Sequence, residues 1–130
     1  MIKRGQIWTY IYGQNYNRNV AGKWIYEGEA QTFRAIQDRL KELADAGKFP
    51  MAKFVNKDPG VDPCPYRKLS VLCVYTNQEQ DQQVREAVQA EFGLWTETYK
   101  TEAQTERDWK PGGLLYEEYI HYWRKKRGFL

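Results

Sequence analysis

The sequence predicts an α+β domain in which one curved, mostly antiparallel sheet carries helices packed on one face. Three observations predict it. Strand-like and helix-like patterns follow one another in the order β-β-α-β-β-α-β-α along the 130 residues. The strand-like segments are rich in β-branched and aromatic residues. The helix-like segments carry apolar side chains at spacings of three and four, the stripe of a helix that covers a sheet. A single domain spanning 1–130 fits this length.

Each element follows from local chemistry. Gln6 to Tyr12 reads as a strand with Ile7, Thr9 and Ile11 on one face and Trp8, Tyr10 and Tyr12 on the other. Gly13 to Asn19 holds three Asn and reads as a turn or loop. A second strand, Lys23 to Glu27, sets Trp24 and Tyr26 against Lys23 and Ile25. Phe33, Ile36, Leu40 and Leu43 mark the first helix, with Glu29 at its positive end and Gly47 beyond its last turn. Met51 to Val55 is the next strand. Asp58 to Pro65 contains three prolines and forms a rigid loop.

Leu69 to Tyr75 is apolar on both faces and predicts a central strand. Thr76 with Glu79 forms a capping-box pattern, so a second helix is expected from there to about Phe92, where Gly93 ends it. Leu94 to Lys100 alternates as a strand. Thr101 to Trp109 is polar and reads as loop, and Pro111-Gly112-Gly113 as a turn. Tyr116, Tyr119, Ile120 and Trp123 then mark a last helix ending in Arg124-Lys125-Lys126-Arg127.

Composition narrows the functional classes. Aromatic residues make up 15% of the chain, which argues against disorder. The net charge is +3, too small an excess to establish a nucleic-acid partner. The longest apolar run is too short for a bilayer, and the charged N-terminal residues lead into no apolar signal core, so no membrane partner is expected. Two cysteines, Cys64 and Cys73, cannot build a disulfide framework, and a cytoplasmic location is the expectation. No phosphate-binding glycine loop is present, and His121 is the only histidine. Cys64 and Cys73 fit no zinc spacing. Ser70 lies in the central strand without a nucleophile elbow. No metal and no cofactor are therefore expected.

What remains is basic and aromatic. Lys23, Lys53 and Lys100 each lie in a strand among apolar neighbours. One reading points them outward from an open sheet face. The functional reading converges them on one anion, for which phosphate is the natural choice, with Arg67 and Lys68 in support. Trp24, Trp95, Trp109, Tyr12, Tyr75 and Tyr99 exceed what a core of this size needs. Aromatic faces beside cations stack nucleobases. The expected ligand is a nucleotide or oligonucleotide. Lys23, Lys53 and Lys100, with Arg67 and Lys68, would hold its phosphate, while Trp24, Tyr75, Tyr99 and Trp109 would supply aromatic contacts. If the ligand is turned over, Lys53 and Lys23 are the catalytic candidates, Lys53 because Ala52 and Phe54 would desolvate it.

Five pieces occur in one order: Gly22-Lys23-Trp24, Ala52-Lys53, Val71-Leu72-Cys73-Val74-Tyr75-Thr76, Tyr99-Lys100 and Leu114-Leu115-Tyr116-Glu117. Over Ala21 to Glu117 this resembles the basophilic-leukaemia-expressed protein family, also described as phosphothreonine-lyase-domain proteins. The resemblance implies a fold like the 4E-type cap-binding translation initiation factor. It also implies an alternative function, β-elimination of phosphate from a phosphopeptide, with lysine as general base. A third reading is a protein-interaction module using exposed aromatics and the basic stretch Arg124 to Arg127.

Overall fold

The computed structural model describes residues 1–77 and 80–128. Six strands form one sheet: β1 (Ile2–Arg4), β2 (Trp8–Tyr12), β3 (Gly22–Gly28), β4 (Met51–Val55), β5 (Ser70–Thr76) and β6 (Tyr99–Thr101). Five helices accompany them: α1 (Ala30–Ala35), α2 (Gln37–Asp45), α3 (Asp81–Phe92), α4 (Glu102–Asp108) and α5 (Leu114–Lys126). The strands lie in the order β1-β2-β4-β5-β3-β6. Every pairing is antiparallel, and the sheet does not close. The α+β class is as the sequence predicts.

Period-two alternation divides the strands into two faces. One face presents Ile11, Trp24, Tyr26, Phe54, Leu72 and Val74 to Phe33 of α1, Leu40 and Leu43 of α2, and Val84 and Val88 of α3. This is the main core. The opposite face carries Tyr10, Met51, Cys73 and Tyr75, packed with Trp8, Ile25 and Val71.

Several elements differ from the sequence reading. The first helix breaks at Ile36, whose backbone leaves helical geometry at φ −104°, ψ 5°, while its side chain still packs on the core. Residues 94–98 are not a strand. There the Thr96 hydroxyl donates to the Ile25 carbonyl at 2.6 Å, taking a ladder position with a side chain. Strand pairing begins only at Tyr99. The expected loop Thr101 to Trp109 is instead α4. Its Thr101 side chain accepts from the Gln104 amide while the Gln104 side chain accepts from the Thr101 amide, a complete capping box. The capping box expected at Thr76 and Glu79 falls partly outside the described residues. Gly93 does end α3, in the left-handed conformation at φ 67°.

Among the described residues, no helix is long and apolar enough to cross a membrane.

Candidate functional site

The register of the sheet brings lysines from three strands onto the second face. Lys23 of β3 stands directly opposite Lys100 of β6 on one side and Tyr75 of β5 on the other. One row along, Lys53 of β4 faces Cys73 of β5 and Tyr10 of β2. These lysines open onto a pocket of about 320 Å³. Ile7, Trp8, Ile25, Val55, Val71 and Cys73 give it an apolar floor. Its rim comes from the loop at 57–67, from Thr105 of α4, from Trp109 and from Leu115 of α5. Trp109 is 44% exposed and meets Tyr119 of α5 edge-on at 6.3 Å.

Two lysines directly opposite each other repel. Here α4 neutralises them: Glu102 reaches Lys23 at 3.5 Å and Asp108 reaches Lys100 at 2.5 Å. Lys23 is only 4% exposed. Lys57 ties the proline-rich loop together, pairing with Asp62 at 2.5 Å and donating to the carbonyls of Cys64 and Arg67. Arg67 pairs with Glu118 of α5. Lys53 differs from all of these. Among the described residues no carboxylate pairs with it. Its ammonium lies 4.1 Å from the centre of the Trp8 ring and 5.9 Å from that of Tyr75. Burial holds this ammonium below the usual lysine range, the nearby Lys23 charge pushes it the same way, and the Glu102 carboxylate opposes both. Burial also pushes the Cys73 thiol up, which favours its neutral form.

The sequence candidates therefore separate. Lys23, Lys53, Arg67, Lys100 and Trp109 line one pocket. Tyr75 is buried beneath the lysines, its ring 5.3 Å from the Lys23 ammonium, and is not on the pocket surface. Lys68 is exposed and outside the pocket. Trp24 and Tyr99 are corrections: both point to the opposite face. Trp24 is 4% exposed, donates to the Asp81 carbonyl at 2.6 Å and packs on Tyr99 at 4.9 Å. The Tyr99 hydroxyl lies 2.9 Å from that of Thr76. Neither ring can stack a ligand held by the lysines, because each alternates with its neighbouring lysine along the strand.

The chain matches no family model, no curated protein and no solved structure. The site is thus defined by its geometry. Trp8 and Lys57 line it, Glu102 and Asp108 pair with two of its lysines, and none of the four was among the sequence candidates. Trp8 has a signal, since alternation from Trp8 through Tyr12 puts it on the face of Tyr10. Lys57 has none: it adopts φ 58°, an uncommon conformation for a side-chain-bearing residue. Glu102 and Asp108 face the sheet only because residues 102–108 are helical. Among the described residues, no group of three or more His, Cys, Asp or Glu side chains is arranged to hold a metal ion.

Proposed function

We propose that the protein binds a small phosphate-bearing ligand of the mononucleotide class in the pocket on the second sheet face. Lys53 meets the anion, Lys23 and Lys100 flank it, and Trp109 stacks on the flat part of the ligand. The observation that carries this reading is that, among the described residues, Lys53 has no carboxylate partner in a pocket where every neighbouring cation has one. An anion entering there gains a charge-assisted hydrogen bond without displacing an internal pair. The volume, at the lower end of small-molecule pockets, favours one nucleotide over an oligonucleotide. The resemblance carried by Gly22-Lys23-Trp24, Ala52-Lys53 and Tyr99-Lys100 leans the same way.

Calorimetric titration with nucleoside monophosphates and inorganic phosphate tests it. Binding is expected to weaken from about 50 to about 300 mM salt. Lys53→Ala is expected to abolish it, whereas Lys53→Arg retains it. Trp109→Ala is expected to weaken the nucleotide by about 1–3 kcal/mol and leave phosphate unaffected. Equal binding by wild type and Lys53→Ala would overturn the reading.

The desolvation of Lys53 favours a second reading, proton abstraction from a phosphothreonine peptide with loss of phosphate. Mass spectrometry would then find an unsaturated residue, whereas hydrolysis would restore the hydroxyl.

A further inference from the structure

We propose that Lys53 is a nucleophilic amine that captures aldehydes and ketones in the pocket as Schiff bases. This goes beyond anion binding, because it requires the primary amine and not merely its charge.

Three features of the site point there. First, Lys53 projects from the central strand β4 into a pocket floored by Ile7, Trp8, Ile25, Val55 and Val71. Such walls accept an apolar carbonyl compound and remove water from the amine. Second, no carboxylate among the described residues fixes Lys53 as an ammonium. Lys23, Lys57 and Lys100, in the same pocket, are each fixed that way. Third, of the described groups that face Lys53, Glu102 carries a negative charge that favours the ammonium, but it is already paired with Lys23. These groups are Lys23 from β3, Cys73 and Tyr75 from β5, Tyr10 and Trp8 from β2, and Glu102 from α4. The Lys23 charge disfavours a second positive charge on Lys53. The burial of Lys53 acts in the same direction. A lysine desolvated in an apolar pocket next to another cationic group is the arrangement that activates an amine for carbonyl addition.

The chemistry balances without a redox partner. The Nζ electron pair forms a bond to the carbonyl carbon, the carbonyl π pair moves to oxygen, and one proton passes from the nitrogen to that oxygen, which restores the nitrogen lone pair. The resulting carbinolamine takes up one further proton on that oxygen and loses water as the nitrogen lone pair forms the C=N bond. The product is a protonated imine and one water molecule. Water reverses the step unless a hydride donor reduces the imine.

Benzaldehyde with sodium cyanoborohydride tests this on the intact protein. The hydride converts each imine to a stable secondary amine, and peptide mass mapping reports which lysine reacted. At about pH 7, Lys53 is expected to be labelled about tenfold faster than the exposed Lys48 and Lys110. The preference is expected to shrink as the pH approaches the ordinary lysine value of 10.5. Labelling that follows exposure, with Lys53 behind Lys48 and Lys110, would overturn the proposal on wild-type protein alone. Lys53→Arg removes the primary amine, so it is expected to lose the pocket adduct while its other lysines label unchanged. An adduct of undiminished yield in that variant would also overturn it.

Discussion

Among the described residues Lys53 has no carboxylate partner and lies against an aromatic floor, and that has a thermodynamic signature. In the folded state it releases its proton below 10.5, the ordinary lysine value it regains on unfolding. Between those two values the unfolded chain binds more protons, so this residue makes stability rise with pH. Lys53→Met removes the effect. Chemical denaturation of both proteins from about pH 7 to about pH 10 is expected to shift the difference between them steadily toward the wild type. A difference that does not change with pH would contradict the assignment of a depressed lysine. Gly22 is a second residue with a specific role. A Cβ built there would lie 2.7 Å from the Lys100 carbonyl and 2.5 Å from the Tyr99 hydroxyl. Gly22→Ala is expected to force β6 away from β3 and to carry Lys100 with it.

At the scale of elements, α4 decides the electrostatics of the pocket, because it brings Glu102 and Asp108 to two facing lysines. Its capping box is its main local support, since none of its residues is buried. Thr101→Ala is expected to cost about 1 kcal/mol. Hydrogen exchange should then quicken in 102–108 while the amides of β5 stay protected; equal exchange in α4 would show that the ion pairs suffice. This helix also shows where sequence reading stops. Strands β2 and β3 are legible because aromatic and β-branched residues alternate along them, and β5 because it is apolar on both faces. The first helix is legible from Phe33, Leu40 and Leu43, though not its break at Ile36. Residues 102–108 have no apolar stripe, so only the Thr101–Gln104 pair marks them as helical. β1, three residues with two charges at a sheet edge, has no such mark. For the site, alternation alone separates Lys23 from Trp24 and Lys100 from Tyr99. The pairing of Lys57 with Asp62, and of α4 with the lysines, depends on tertiary placement and has no one-dimensional signal.

For the whole molecule, the central strands β4 and β5 serve both faces. Phe54 and Leu72, a registered pair, are fully buried in the main core, while the adjacent pair, Lys53 and Cys73, reaches the pocket. Leu72→Ala is expected to cost about 2–5 kcal/mol, measured by denaturant unfolding. The strand order has a further consequence, for synthesis on the ribosome. β3 is complete at residue 28, yet its partners are residues 70–76 and 99–101. At about 5–20 residues per second, roughly 2–8 s separate the appearance of residue 28 from that of residue 70. Throughout that interval Trp24 and Tyr26 have neither β5 beside them nor α3 above them. A nascent chain of this order carries an unpaired, aromatic strand, the segment on which a chaperone would act first.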